Sequence, residues 1–286
     1  MNEFDQWPML RMLTAFIIGY LLSLMGSLTQ WLTENKLASP STLGIDALGV
    51  GMVLIFLFFH SINLVIPEEL KFILILIISI SLSFLLTRFA RHSIGRRILF
   101  LGLAINLFMG AGFALVQFLS LAYGFEFPHS LWFGQIFTPS KKELIFLGIS
   151  FALIILTLVM NLKNFLSTGL GHGLVITLHK PIERIWRCAI FICLLGTLSI
   201  IWLFGVYSFM GLILPSLLRS LPGIKGRPKN ELTFGAILGG LIFMILDLCC
   251  YFLPVMGAEI PVGLLSATLG AMALVILSSK EILSFK

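Results

Sequence analysis

Long runs of apolar residues dominate this sequence and constrain its fold more than any other feature. A helix that crosses a bilayer needs about 20 mostly apolar residues, and nine stretches approach or reach that length. They run over residues 10–33, 43–60, 70–90, 95–120, 144–161, 185–204, 206–221, 231–253 and 260–280. Only 11% of the 286 residues are charged, against roughly 25% in soluble proteins. The sequence therefore predicts an all-α, polytopic membrane protein with about nine transmembrane helices.

The distribution of basic residues predicts which helix ends face the cytoplasm, because cytoplasmic loops are enriched in Lys and Arg. Fifteen of the 19 basic residues fall in one alternate set of connections and chain ends. The other set holds only Arg11, Lys71, Lys141 and Lys142. We therefore expect the N-terminus outside and the C-terminus in the cytoplasm. The net charge of +6 follows from this bias, so nucleic acid is not an expected partner.

The sequence carries no recognisable catalytic or metal-binding constellation. It contains neither a G-x-x-x-x-G-K-[ST] phosphate-binding loop nor an H-E-x-x-H zinc motif. Its four cysteines lie in apolar runs without a C-x-x-C pair. We therefore expect no catalytic residue, no bound metal and no cofactor in this chain, and no enzyme activity of its own.

Asp247 is the only ionisable residue well inside a predicted span. A carboxylate at the centre of a bilayer costs about 3 kcal/mol, so it is either paired or functional. A carrier driven by protons or sodium ions would be expected to hold more than one such group. We interpret Asp247 as a hydrogen-bond acceptor in helix packing, with a proton site in a secondary carrier as the alternative. Energy for transport would then come from a separate subunit.

Motifs rich in Gly and Pro follow one another along the chain. They include Glu259-Ile260-Pro261-Val262-Gly263 and the stretch 209–219, which reads F-M-G-L-I-L-P-S-L-L-R. These resemble the E-L-P-V-G and F-[IV]-G-L-[IV]-[IV]-P-H-x-x-R motifs of the FecCD-type permease family of ATP-binding-cassette (ABC) importers, which take up iron-siderophores, haem and cobalamin. Asp247 stands where that family has A-D-L, and residues 26–44 are similar to its S-G-x-x-x-Q…N-P-L-A-x-P-x-x-L-G pattern. The motif positions expected to be structural are Gly26, Gln30, Asn35, Pro40, Gly44, Gly211, Pro215, Arg219, Asp247, Glu259, Pro261 and Gly263.

The resemblance implies the permease subunit of an ABC importer, with one transmembrane permease domain over residues 1–286. Such a subunit would pair in the membrane lipid with a second copy or a paralogue. A separate ABC ATPase subunit would hold ATP and Mg, and a periplasmic or lipid-anchored substrate-binding protein would dock outside. Alternating access would then carry an iron(III)-siderophore or a related metal chelate across the inner (cytoplasmic) membrane.

The resemblance also implies two contact surfaces. The cytoplasmic stretch 162–187 falls where the family docks its ATPase. The coupling residues expected within it are Gly171, His172, Leu178, Pro181 and Arg184. Arg11 and Lys71 are the residues expected to contact the binding protein on the outer side.

Several positions depart from the family pattern. Family members usually have ten spans, so we expect the first of them to be missing here. Leu170-Gly171-His172 replaces the usual L-G-E of the coupling loop, and Tyr251 stands where an outward-facing arginine is common. The alternative function is therefore a diverged non-transporting or regulatory subunit that pairs with a full-length permease. The identity of the chelate and the choice between homodimer and heterodimer stay open.

Overall fold

The computed structural model describes residues 3–61, 66–89, 94–123, 129–254 and 259–272. The regular structure of these residues is helical, which confirms the all-α prediction. The helices are α1 (Glu3–Thr33), α2 (Ile45–Ser61), α3 (Glu68–Phe89), α4 (Ile94–Tyr123), α5 (Lys141–Met160), α6 (Leu162–Gly169), α7 (His172–Thr177), α8 (Ile182–Phe204), α9 (Met210–Leu218), α10 (Pro228–Phe252) and α11 (Val262–Met272). A 3₁₀ turn, His129–Trp132, precedes α5, and α10 contains a π-helical turn at Glu231–Gly235, one turn after its start.

Six of the described helices are long and apolar enough to cross a membrane: α1, α3, α4, α5, α8 and α10. The helices α2 and α11 are apolar but shorter. These eight correspond to eight of the nine predicted stretches. The total number of spans and the orientation of the two termini stay predictions.

The prediction of a helix over residues 206–221 is only partly right. The helix α9 has nine residues, and the chain before it leaves the helical region, with φ of 83° at Gly205 and 65° at Phe209. Val206 donates its N–H to the carbonyl of Leu131 at 3.0 Å and accepts from the N–H of Gly134 at 3.0 Å. Backbone groups inside a membrane protein need partners of this kind when they are not helical. The stretch is therefore non-helical in its first part and helical in its second.

The helix α8 forms the centre of the molecule. Sixteen of its 23 residues are buried, and α1, α2, α3 and α5 pack around it. Its contact with α5 includes a buried hydrogen bond of 3.0 Å between the hydroxyl groups of Ser150 and Ser199. A helix that is apolar on all sides is expected in the interior, and the other helices take their positions from it.

The helices α1 and α10 run antiparallel in close contact. A Cβ added to Gly19 would lie 2.8 Å from the carbonyl oxygen of Gly239, and four residues further along α1 the Ser23 hydroxyl donates to the carbonyl of Gly235 at 3.5 Å. Four residues forward along α1 therefore correspond to four residues backward along α10, as expected for antiparallel helices. Small residues allow helix backbones to approach this closely in a membrane. Charged side chains make contacts at both ends of this helix pair.

Candidate functional site

At one end of the α1–α10 pair, Arg11 joins three structural elements. Its Nε and Nη2 donate to Asp247 Oδ2 and Oδ1 at 2.9 and 3.0 Å, and its Nη1 donates to Glu259 Oε2 at 2.9 Å. The guanidinium also lies 4.7 Å from the centre of the Tyr251 ring. Two parallel N–H···O bonds give an arginine–carboxylate pair a fixed orientation. We call Arg11, Asp247 and Glu259 the outer cluster, since the charge distribution predicts this end to face outward.

The outer cluster explains the single carboxylate inside the predicted spans. Asp247 is fully buried and accepts hydrogen bonds from another helix, which agrees with the packing interpretation. Its donor is Arg11, a residue that the family resemblance assigns to the docking surface. Arg11 is only 8% exposed, because both carboxylates hold it within the bundle. Its docking role stays a prediction, with little of the side chain free to reach a partner.

Lys71, the second expected docking residue, lies at the start of α3. Its Nζ is 2.6 Å from Glu68 Oε1 and 4.6 Å from the centre of the Trp202 ring near the end of α8. Nearby, Lys142 of α5 pairs with Glu69 of α3 at 3.1 Å. These contacts fix the start of α3 and leave the docking role of Lys71 a prediction.

The motif at 259–263 starts the last described helix and attaches it to the rest of the fold. The carbonyl of Pro261 accepts from the N–H of Leu264 at 3.0 Å, which begins α11. Gly263 donates its N–H to the carbonyl of Gly134 at 2.7 Å, and a Cβ at Gly263 would overlap the Gly134 backbone. The sequence motif therefore marks a close backbone contact. Its partner, Gly134, carries no motif of its own, and we did not predict it.

The motif glycines of α1 and α9 lie against each other in the middle of the molecule. A Cβ at Gly26 would overlap the carbonyl of Gly211 and come within 2.9 Å of Pro215 Cγ. On its other side, a Cβ at Gly211 would lie 3.1 Å from Pro40 Cδ. Four family-motif positions therefore form one tight helix crossing.

The connection between α1 and α2 is built from Pro40 and two further motif residues, Asn35 and Gly44. Asn35 ends α1 by donating its N–H to the carbonyl of Gln30 at 3.2 Å, and its side chain accepts the N–H of Leu37 at 2.9 Å. The carbonyl of Pro40 accepts the N–H of Ile45, the first residue of α2, at 3.1 Å. Gly44 has φ of 77°, a conformation that glycine adopts without strain. These residues set where α2 enters the bundle.

At the opposite end of the α1–α10 pair, Arg219 joins α1, α9 and α10. Its Nη1 donates to Gln30 Oε1 at 2.6 Å, and its Nε and Nη2 donate to Glu231 Oε1 at 2.8 and 2.5 Å. Gln30 in turn donates to the carbonyl of Leu212 at 3.3 Å. We call Gln30, Arg219 and Glu231 the inner cluster. We did not predict Glu231, although the sequence holds a signal for it: an acidic residue in a basic loop, just before the next apolar run.

The predicted coupling stretch 162–187 folds into the helix pair α6–α7 and the first turn of α8. A Cβ at Gly169 would lie 2.8 Å from Pro228 and 3.1 Å from Trp31, which places α6 at the inner-cluster end. Lys180 Nζ donates to the carbonyl of Lys163 at 2.9 Å and so holds the far end of the stretch against α6.

The five predicted coupling residues all lie on this helix pair or beside it. Gly171 has φ of 115° and forms the turn before α7, which His172 begins; the His172 side chain lies outside the described residues. Leu178 is exposed, as are Pro181, the N-cap residue of α8, and Arg184 in its first turn. Leu170 and Ile176 are exposed as well, which gives the pair an apolar surface.

A cavity of about 350 Å³ lies between α2, α4 and the non-helical segment before α9. Asn106 of α4 lines it and donates to the carbonyl of Ser41 at 3.0 Å. Asp46 and Ser208 also line it. The polar groups of this cavity therefore come from three separate parts of the chain, and Asn106 contributes an inter-segment hydrogen bond.

Known proteins resemble this chain in both sequence and fold. Residues 2–280 match the FecCD transport family. The vitamin B12 import system permease protein BtuC of Vibrio cholerae is 29% identical over 265 residues, which cover 91% of this chain and 78% of BtuC. The Fe(3+) dicitrate transport system permease protein FecD of Escherichia coli is 27% identical over 270 residues, covering 91% and 80%.

A solved structure gives the same result for the fold. A protein assigned to the metal-chelate type of ABC transporter, in an inward-facing conformation, aligns with a TM-score of 0.74 over 94% of this chain and 85% of its own, at 21% identity. The resemblance found in the motifs is thereby confirmed, and the relatives are permeases, not enzymes. The chain belongs to the FecCD transport family.

Proposed function

We propose that this chain is the permease subunit of an ABC importer that carries an iron(III)-siderophore or a related metal chelate across the inner membrane by alternating access. Family membership supports the permease role. The names of the two relatives support the cargo class, since vitamin B12 is a cobalt chelate and ferric dicitrate an iron chelate. A periplasmic or lipid-anchored substrate-binding protein would deliver the cargo near the outer cluster, with Lys71 as the more accessible contact.

The apolar surface of the α6–α7 pair is the observation that carries this proposal. Leu170, Ile176 and Leu178 are exposed by 62%, 69% and 52%. Ile176 lies in α7, and the two leucines directly follow α6 and α7. Exposed apolar side chains grouped at one site are typical of a protein interface. An ABC ATPase docked on this surface would hold ATP and Mg and do the hydrolysis. Arg184, at the edge, would contact an acidic group of that partner.

The two clusters suggest how motion would pass through the subunit. The inner cluster joins α1 to α9 and α10, and the outer cluster joins α1 to α10 and the segment before α11. Helices tied at both ends move together, as in the rigid-body transitions that alternate between two packed states. A push by the ATPase on α6, which touches Trp31 of α1, would therefore reach the outer end through α1 and α10.

The exposed face of α4 supports pairing with a second permease copy or a paralogue. Only 11% of the residues in the most apolar part of α4 are buried. A Cβ at Gly110 or at Gly112 would meet nothing within 4 Å, so both glycines lie on an open surface where another helix could approach. The cavity beside Asn106 would then lie next to the pathway between the two copies.

A quantitative pull-down from native membranes tests the ATPase contact. We expect the tagged chain to recover an ABC ATPase in equal amount. Leu178→Asp and Arg184→Glu should each lower that recovery about tenfold, the effect of a central interface residue. Arg227→Gln, which removes an exposed charge at the same end, is the matched control and should recover the wild-type amount. Size-exclusion profiles of the purified variants show that each is folded.

Two results would overturn the proposal. Absence of an ATPase from the wild-type sample would remove the importer assignment. The ATPase could instead be recovered only together with a second, full-length permease that transports without this chain. That result would favour the regulatory alternative.

A further inference from the structure

A pocket of about 550 Å³ lies between α3 and α8, at the end of the molecule that the charge distribution predicts to be cytoplasmic. Its walls combine two guanidinium groups, one carboxylate, two hydroxyl groups and apolar side chains. The lining residues are Ser81, Phe84, Leu85, Thr87, Arg88, Glu183 and Arg187. The pocket shares Glu183 and Arg187 with the coupling stretch 162–187, but it lies away from both clusters and from the cavity beside α4.

Arg187 places an unpaired donor in this pocket. Its guanidinium lies 4.3 Å from the centre of the Phe84 ring, which holds the group flat against α3. Its Nε is buried and has no hydrogen-bond partner among the described residues. Buried N–H groups of folded proteins are nearly always paired. An acceptor that enters the pocket from outside the chain would satisfy this one.

The charge around the pocket favours an anion. Arg88 makes no ion pair with the described residues, and the sequence adds Arg91, Arg96 and Arg97 directly after it, with no Asp or Glu between residues 70 and 125. Glu183 is the one carboxylate of the lining, and it has an interaction of its own. Guanidinium groups bind the oxygens of phosphates and carboxylates in a two-point geometry.

The surface next to the pocket is apolar and faces outward. Ile77, Ile80, Phe84 and Leu85 of α3 are each between 42% and 53% exposed. All four precede Thr87 and Arg88 along the helix. The site therefore has a cationic end at the membrane boundary and an apolar stripe that continues towards the bilayer centre. A soluble phosphate would use only the first of these, whereas a phospholipid would use both.

We propose that this pocket binds the phosphate group of an anionic phospholipid in the cytoplasmic leaflet. Arg88 and Arg187 donate to the phosphate oxygens, and an acyl chain lies along the exposed face of α3. Basic pockets between membrane helices on the cytoplasmic side bind anionic headgroups in this way. The bound lipid would join α3 to α8 and neutralise the charge that gathers there.

Native mass spectrometry of the delipidated full chain tests the proposal. Phosphatidylglycerol and phosphatidylcholine with the same acyl chains are titrated separately, and we expect phosphatidylglycerol to bind about tenfold more tightly. Each arginine near an anionic headgroup contributes about a fivefold gain, so Arg88→Gln combined with Arg187→Gln should weaken phosphatidylglycerol binding by roughly 30-fold. Arg227→Gln removes an exposed charge at the same end of the molecule and should leave the affinity unchanged.

Several results would overturn the proposal. These are equal binding of the two lipids, an unchanged affinity in the double variant, and an equal loss in Arg227→Gln. Displacement of phosphatidylglycerol by millimolar inorganic phosphate would assign the pocket to a soluble anion instead. Loss of the ATPase from the double variant, with lipid affinity unchanged, would assign it to a protein contact.

A cross-linking experiment on the wild-type chain tests the same proposal without requiring any variant to fold. Phosphatidylglycerol with a photoactivatable acyl chain is bound in detergent, irradiated and mapped by peptide analysis. We expect adducts on the part of α3 that contains Ile77 to Leu85. Adducts spread evenly over the apolar helices would contradict a defined site.

Discussion

Arg11 of α1 and Asp247 of α10 form a two-point ion pair inside the helix bundle, although 236 positions separate them in the chain. The pair neutralises the one carboxylate placed well inside the predicted spans. Both oxygens of that carboxylate accept hydrogen bonds from the same guanidinium group, which holds it between α1 and α10. The outer cluster therefore holds α1, α10 and the segment before α11 together. This structural role agrees with an importer whose energy comes from another subunit.

Asp247→Asn should destabilise the protein by about 3 to 5 kcal/mol, because it leaves the Arg11 charge buried without its main partner. Replacing both residues by apolar ones, Arg11→Met with Asp247→Leu, should recover most of that loss. The unfolding temperature in detergent measures both effects, with the exposed Lys225→Gln as the control. A loss in the double variant equal to the sum of the losses in Arg11→Met alone and Asp247→Leu alone would show that the residues do not interact.

Glu231→Gln tests the inner cluster. It keeps a hydrogen-bond acceptor for Arg219 but removes the charge, so a loss of about 1.5 to 3 kcal/mol is expected. The neighbouring Lys229→Gln changes the net charge by the same amount at an exposed position and should have almost no effect. Limited proteolysis of the 220–230 loop is a second measurement, and cleavage should become faster only in Glu231→Gln. Equal behaviour of the two variants would contradict the contacts described for Arg219.

Gly26→Ala should lower stability by about 1 to 3 kcal/mol or more, since the added methyl group overlaps the backbone of Gly211 and neither helix can yield easily. Gly148→Ala is the matched control, because a Cβ at that α5 position meets nothing within 4 Å. Alanine favours a helix over glycine by about 0.5 to 1 kcal/mol, so this control should be neutral or slightly stabilising. Unfolding temperatures of the two variants that shift together would contradict the tight crossing of α1 and α9.

Single cysteines test the orientation that the basic residues predict. In a variant without the four native cysteines, Lys142→Cys should react with a membrane-impermeant maleimide in intact cells, because the outer set of connections includes this exposed position. Lys225→Cys should react only after the membrane is permeabilised. The opposite pattern would reverse the topology and move the α6–α7 pair to the outer side.

The sequence predicts where most of the apolar helices lie and which residues form the family motifs. It does not predict which residues of different helices contact one another. Apolar length alone located eight of the described helices. The motifs marked Gly26, Gly211 and Gly263 as structural positions, and the fold shows that they are sites of close approach. The partners Asp247 for Arg11 and Glu231 for Arg219 depend on the register between helices, which no local pattern encodes.

The non-helical segment before α9 is a second feature that the sequence does not predict. Residues 205–209 are as apolar as a helix, and hydropathy does not distinguish the two conformations. They are not helical, and Leu131 and Gly134, some 70 positions earlier, supply partners for the backbone of Val206. Such long-range backbone pairing becomes visible only when the chain is folded.

Uptake by reconstituted vesicles tests the central claim most directly. The chain is inserted into proteoliposomes together with the ATPase recovered from its native membranes, and uptake of a radioactive ferric chelate is followed in the presence of its binding protein. We predict uptake that requires hydrolysable ATP and that a protonophore does not reduce. Uptake driven by an ion gradient without ATP, and abolished by the protonophore, would contradict the account.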